Sequence, residues 1–184
     1  MRTLSASYFM SLDGVIENPQ DWHFPTFTPD VAEAALADTG SVGTILLGRV
    51  TYQEWLPVWP AQGTSNPMAT FLNQTPKYVA SRTLGELDWD STTLIKGDVV
   101  DALTAEKAKE GGEIAAFGSG DLVTTLIGAG LVDELRLLVH PVLVGSGRRL
   151  FDGGPTPRDA ELTESTVFPS GVLRLNYRLR AVER

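Results

Sequence analysis

Glu113-Ile114-Ala115-Ala116-Phe117-Gly118-Ser119-Gly120-Asp121-Leu122 is the stretch whose reading decides the fold class. Residues 113–117 are a short, mostly apolar run of strand length, and Gly118-Ser119-Gly120-Asp121 then opens a helix. Upstream, Asp98 can cap a helix that closes at Gly111-Gly112, so a strand sits between two helices. Outward from there the alternation continues. Residues 42–47 have the apolar run of a buried strand, and Gly48-Arg49-Val50-Thr51-Tyr52 begins the next turn or helix. Residues 77–81 and 92–96 read as further short strands, and residues 4–10 as the first. Thr28-Pro29-Asp30 offers a hydroxyl cap, a first-turn proline and an acid near the positive helix end. Val31, Ala32, Ala35 and Leu36 give that helix one apolar face. Strands alternating with helices predict an α/β fold, with a largely parallel sheet and helices on both faces.

The C-terminal third changes character. Residues 135–144 are a long β-rich run, and Leu173, Leu175, Tyr177 and Leu179 alternate with Arg174, Asn176, Arg178 and Arg180. These read as antiparallel strands, reversed at Gly145-Ser146-Gly147 and Pro169-Ser170-Gly171. Residues 61–67 are the one loose, polar stretch, read as a surface loop. The 184 residues fit a single domain, 1–184.

Composition narrows the function classes. With 42% hydrophobic and 21% charged residues, the chain has an ordinary globular balance, and no stretch is long and apolar enough to span a bilayer. A net charge of −8 argues against nucleic acid, whose binding depends on neutralising phosphates, so any phosphate site is local. There are no cysteines, which excludes disulfides, thiolate metal sites and a cysteine nucleophile. Met1-Arg2-Thr3-Leu4 runs into the first strand without a signal-peptide pattern, leaving the cytoplasm as the default location.

Three strand ends carry candidate chemistry, which is where open α/β sheets bind ligands. Gly48 permits close backbone approach, while Arg49 and Thr51 can reach phosphate oxygens; an ordinary turn with a solvated arginine reads equally. Ser81-Arg82-Thr83 offers two hydroxyls and a guanidinium suited to a phosphate monoester such as the 2′-phosphate of NADPH, or a plain polar turn. Gly118, Ser119, Gly120, Asp121 and Leu122 form a glycine-rich strand-to-helix junction that can present N–H groups to a pyrophosphate, although two glycines also make a tight turn. Trp22, Phe24, Phe27, Tyr52, Trp55 and Trp59 could wall a flat heteroaromatic substrate, or simply pack in the core. His23 and His140 lack metal spacing, no metal site is expected, and the apolar run around His140 favours a structural role.

The ordered set of these motifs resembles the dihydrofolate reductase superfamily, especially the reductase domain of bacterial riboflavin biosynthesis and its single-domain relatives. The residues that carry the resemblance are Ser11-Leu12-Asp13-Gly14-Val15-Ile16, Leu47-Gly48-Arg49-Val50-Thr51-Tyr52, Ser81-Arg82-Thr83, Phe117-Gly118-Ser119-Gly120, Leu131-Val132-Asp133-Glu134-Leu135 and His140-Pro141-Val142-Leu143-Val144-Gly145-Ser146-Gly147. The resemblance implies about eight strands, mostly parallel, with NADPH across their ends. It implies that Arg49, Thr51, Ser81, Arg82 and Thr83 hold the adenosine and its phosphates, and that Gly118 to Leu122 cradle the pyrophosphate. Nicotinamide would lie near Ala6 and the loop of Asp13, Gly14, Val15 and Ile16, with Asp13 as the catalytic polar group or merely an Asp-Gly turn residue. Trp22, Phe27, Tyr52, Trp55 and Phe117 are then the substrate wall.

Two positions depart from the family. Where dihydrofolate reductase places a pterin-binding carboxylate this chain has Phe27, and where the riboflavin-pathway enzyme has a glutamate it has Phe117. Neither inherited substrate follows, and no zinc deaminase pattern is present. The readings left open are an NADPH-dependent reductase of a small planar heterocycle, a nucleotide-binding module without turnover, and an enzyme using another nucleotide or a flavin. A homodimer, paired through the arginine-bearing C-terminal strand, is a further expectation.

Overall fold

Leu4–Ser11 forms β1, whose side chains alternate between two covered faces, as a central strand requires. In this computed structural model, which describes residues 1–152 and 158–180, β1 pairs in parallel with β5 (Glu113–Phe117) on one side and β6 (Glu134–His140) on the other. Outward from β5 lie β2 (Val42–Gly48), β3 (Lys77–Ala80) and β4 (Thr92–Ile95), all parallel. Beyond β6, β8 (Leu173–Leu179) runs antiparallel and pairs with β7 (Ala160–Val167). The order β4-β3-β2-β5-β1-β6-β8-β7 is a mostly parallel eight-stranded sheet with antiparallel C-terminal strands.

Leu4, Ala6, Tyr8, Leu46, Ile114, Ala116, Leu135, Leu137 and Val139 form the core of one face, beneath α5 (Val99–Ala108) and α6 (Gly120–Gly128). The other face holds two separate clusters. Ile45, Leu47 and Val79 pack with residues from α2 (Arg49–Trp55), α3 (Trp59–Gln62) and α4 (Pro67–Gln74), while Leu138, Phe168 and Val172 pack with Val31 of α1 (Pro29–Ala37). Among the described residues, no helix is long and apolar enough to cross a membrane.

Several local expectations change. The strand expected over 135–144 ends at His140, because Pro141 cannot donate to a ladder. The Gly145-Ser146-Gly147 turn does reverse the chain, yet it makes no hairpin with β6. With φ of +83° at Gly145 and +111° at Gly147, it returns the chain to the first loop, where Ile16 N–H bonds the Arg148 carbonyl (2.9 Å) and Leu150 N–H the Gly14 carbonyl (3.1 Å). Pro169-Ser170-Gly171 does turn β7 into β8, with Phe168 and Val172 joined at 2.9 Å. Part of the polar 61–67 stretch is helical, since α3 runs to Gln62 and Asn66 Oδ1 caps α4 by accepting from Ala69 N–H at 2.9 Å. Asp98 caps α5 through the N–H groups of Val100 (2.8 Å) and Asp101 (3.1 Å). Thr28, by contrast, turns its hydroxyl onto the Asp30 carboxylate and leaves the α1 N–H groups alone.

Candidate functional site

Because β5, β2 and β3 are neighbours, the ends carrying Gly118, Gly48 and Ser81 lie side by side. Ser119 locks the first two together. Its Oγ accepts from Gly48 N–H (2.7 Å) and donates to Thr51 Oγ1 (2.9 Å), which also accepts from Ser119 N–H (3.1 Å). The chain passes through left-handed conformation at both Gly118 (φ +56°) and Ser119 (φ +58°). A Cβ on Gly118 would stand 3.0 Å from Thr51 Oγ1, and one on Gly48 3.1 Å from Ser119 Oγ, so both glycines are needed for close approach. The Ser119 hydroxyl is thus engaged in building the junction, while Thr51 Oγ1 accepts twice there and has only its own proton to offer a phosphate.

What the junction offers a ligand is backbone. In α6 the first internal bond runs from Val123 N–H to the Ser119 carbonyl, leaving Gly120, Asp121 and Leu122 N–H without partners among the described residues. Those three groups and the helix dipole suit an anion such as a pyrophosphate. Arg148, which the sequence reading passed over, stands at the mouth and pairs with the exposed Asp121 at 2.5 Å. The signal for it was an arginine pair following the Gly145-Ser146-Gly147 turn at a strand end.

Arg49 is exposed and bonds only Gln53 (2.8 Å), while Arg82 and Thr83 are exposed and Arg82 has no ion pair among the described residues. Ser81 is buried, and its Oγ accepts from Thr83 N–H (3.1 Å) and Leu84 N–H (3.0 Å), so only its own proton is left to offer. Of the first-loop candidates, Ile16 alone reaches the junction: its Cδ1 lies 3.0 Å from where a Gly120 Cβ would be. Val15 is buried, its N–H bonds Ser11 Oγ and its carbonyl accepts from Ser11 N–H. Gly14 spends its N–H on the Ser11 carbonyl and its own carbonyl on Leu150. Their N–H groups are both engaged, and each carbonyl has one further lone pair to offer. Ala6, the other residue assigned there, has a fully buried side chain, but it is the register partner of Ala116, so its backbone lies one step along the sheet from the Ser7–Phe117 pair and close to the junction.

Asp13 is a held anion. Its carboxylate accepts from Ser11 Oγ (2.7 Å), Val144 N–H (3.0 Å) and Gly145 N–H (2.8 Å), with Arg149 at 3.5 Å. The Ser11 bond, followed by the two backbone bonds, holds its pKa well below the ordinary carboxylate range. It cannot supply a proton near neutrality. Its place is structural, tying the first loop to the 144–149 turn.

The five residues read as one substrate wall divide. Tyr52 is buried, accepts from Asp88 N–H through its hydroxyl (2.9 Å) and packs near Trp89, away from any opening. Trp55 and Phe117 stand 6.2 Å apart, and Phe117 is the register partner of Ser7 on β1. Trp22 and Phe27 belong to a second group with Phe9, His23, Phe24 and His140. Between the two groups, Ser7 and Phe117 keep partial exposure although they lie on the central strands. Ser7 and Phe117 thus form a partly exposed strip on the central strands, with Trp55 packed in the cluster of Phe117 and with Phe9 and Phe27 in the other cluster.

A mostly parallel eight-stranded sheet with two antiparallel C-terminal strands and helices on both faces is a dihydrofolate reductase-like fold. The chain belongs to the RibD C-terminal domain family, whose profile matches residues 2–174. The uncharacterised protein YyaP of Bacillus subtilis (strain 168) is 30% identical over 174 residues, spanning 91% of this chain and 90% of its own length. A crystal structure from Shewanella sp. PV-4, of a protein named for riboflavin biosynthesis, superposes with a TM-score of 0.77 at 23% identity, covering 97% of this chain and 99% of that one. Dihydrofolate reductase from Enterococcus faecalis, complexed with NADP(H), has the same fold at a TM-score of 0.62 and 16% identity, over 97% of this chain and 96% of its own.

Proposed function

We propose that residues 1–184 act as one domain, an NADPH-dependent reductase that delivers hydride to a small planar heterocycle of pteridine or pyrimidine type. One observation carries the reading: the Gly118-Ser119 junction presents three N–H groups without partners among the described residues at the start of α6, locked to the Gly48 loop through Thr51. A dinucleotide pyrophosphate suits that helix start, because its unpaired N–H groups and the helix dipole both favour an anion there. Gly120, Asp121 and Leu122 N–H would hold the pyrophosphate, with Arg148 free to turn from Asp121 toward it. Arg49, Arg82 and Thr83, with the Ser81 hydroxyl proton, would hold the adenosine side and its 2′-phosphate. NADPH supplies a hydride when bound.

The remaining work falls to the chain. Ile16 and the Ser11–Asp13 turn shape the inner edge of the junction, and Phe117, Trp55, Phe9 and Phe27 exclude water beside it. Neither Phe27 nor Phe117 brings a carboxylate to a bound substrate, and burial keeps His23 and His140 neutral, so a proton for the product comes from water. The test is cofactor titration of an Arg49→Ala/Arg82→Ala double variant. NADPH affinity is expected to fall at least about tenfold, while NADH affinity barely changes, since charged hydrogen bonds to a phosphate are lost only for NADPH. Equal losses for both cofactors would refute the assignment of these arginines.

A further inference from the structure

On the face of the sheet that α1 covers, the apolar cluster of Leu138, Phe168 and Val172 gives way to charge toward the start of β6. Glu134 and Arg136 of β6, Arg174 and Asn176 of β8, Glu164 of β7 and Asp38 at the end of α1 surround a cavity of about 320 Å³. Arg136, Asn176 and Glu164 are register partners in one row across the three strands. The parallel strands begin at this end, whereas the Gly118 junction lies where they finish, so the two places are separate. Ionised groups on inner strands are costly unless paired.

The pairing here leaves negative charge over. Arg136 donates to Glu113 at 2.9 and 3.0 Å, to Glu134 at 2.8 Å and to the Asp38 carbonyl at 3.1 Å. Arg174 donates to both carboxylate oxygens of Asp38 and, at 2.6 Å, to Glu164. Two guanidiniums thus answer four carboxylates, and no further cation pairs with those acids among the described residues. Because most of the guanidinium N–H groups on hand are already spent on these partners, the cavity offers acceptors.

The neutral groups point the same way. The Asn176 amide donates from Nδ2 to Glu164 at 3.0 Å, which fixes Oδ1 as its other end. That oxygen is enclosed and has no donor among the described residues, although Asn176 lines the cavity. Enclosed acceptors are ordinarily satisfied, so a donor is called for. Glu134 Oε1 likewise has no hydrogen-bond partner among the described residues. Helix α1 ends at the cavity, and the carbonyl end of a helix favours a cation. The acids do not converge as a metal ion needs: among the described residues no three carboxylates or imidazoles gather at one point. The charge is instead spread along the cavity, as an extended organic cation would match.

We propose that this cavity is a second ligand site, which takes a flexible aliphatic diammonium ion whose N–H groups are accepted by Glu134 and Asn176, with Glu164 balancing the second charge. The site is independent of the reductase reading, since no residue is shared between them.

The test titrates putrescine by calorimetry against its fully N-methylated bis-quaternary analogue, which keeps both charges and has no N–H. Putrescine is expected to bind one per chain and at least about tenfold more tightly than the analogue, because only it can donate. The double variant Glu134→Gln/Glu164→Gln, whose side chains are partly exposed, should lose at least about tenfold in putrescine affinity. Glu54→Gln/Glu110→Gln, the same charge change at exposed positions elsewhere, should leave that affinity unchanged. Side-chain amide ¹⁵N spectra of the wild-type protein need no variant, and the Asn176 resonance should shift on addition of putrescine. Absence of binding, equal affinity for the two compounds, equal losses in the two double variants, or an unmoved Asn176 resonance each overturn the proposal.

Discussion

At the residue scale, the Tyr8 hydroxyl and the Asp13 carboxylate show opposite solutions to the same cost. Asp13 gathers three hydrogen bonds and a guanidinium, so its charge is held. Tyr8 is buried in β1 with no partner for its hydroxyl among the described residues, and burial pushes its pKa up. An unsatisfied buried hydroxyl is destabilising by roughly 1 to 3 kcal/mol. Tyr8→Phe should therefore raise stability by about 1 kcal/mol, measured by urea denaturation; a loss of similar size would mean the hydroxyl has a partner in solution. Asp13 also shows what sequence can hide. An acid before a glycine in a strand-end loop reads equally as a catalyst or a turn, and only the approach of Val144 and Gly145, over 130 positions away, separates the two.

At the scale of elements, the central strands were legible because each is a short apolar run closed by glycine or a polar turn. β2, β3, β4 and β5 fall within a residue of their expected ends. β7 was not legible. It is almost wholly exposed, with Leu162 and Val167 as its large apolar side chains, so no alternation of burial shaped its sequence. α4 was hidden for another reason, since its cap, Asn66, lies inside a stretch whose polarity reads as loop. The site was legible as segments and not as contacts. Gly48 and Thr51 were read at one strand end and Gly118 and Ser119 at another, and their joining through the two hydroxyls depends on β2 lying beside β5. That coupling makes Thr51→Val informative. Removing Oγ1 leaves Ser119 N–H unpaired in a partly buried turn, so stability should fall by about 1 to 2 kcal/mol and NADPH affinity with it. Lost stability with undiminished NADPH affinity would show that the cradle does not depend on the lock.

At the scale of the molecule, pH reports the aromatic group around His140. Burial lowers the His140 pKa from 6.5 to about 4, with His23 adding to the shift. Between those values the unfolded chain binds the proton and the folded one does not, so stability rises with pH across the window. The contribution is fully present above 6.5 and is lost as pH falls toward 4, amounting to at most about 3 kcal/mol. Unfolding free energies measured from pH 4 to 7 should show this slope, and His140→Phe should flatten it. A slope unchanged in that variant would assign the titration to other groups. The depressed carboxyl of Asp13 acts lower, below the ordinary carboxylate pKa, and so does not mask the window.

The return of residues 148–150 to the first loop also sets an order of events in the cell. Ile16, beside the start of α6, is fixed through Arg148, and β8, the last of the described strands in chain order, lies inside the sheet between β6 and β7. A nascent chain stalled before Arg148 lacks the bond that sets Ile16, and one stalled before Leu173 has a sheet with a strand missing between its partners. Early strands thus wait on late ones. A fragment that lacks these late segments would leave Ile16 unanchored and expose an open-edged sheet to proteases.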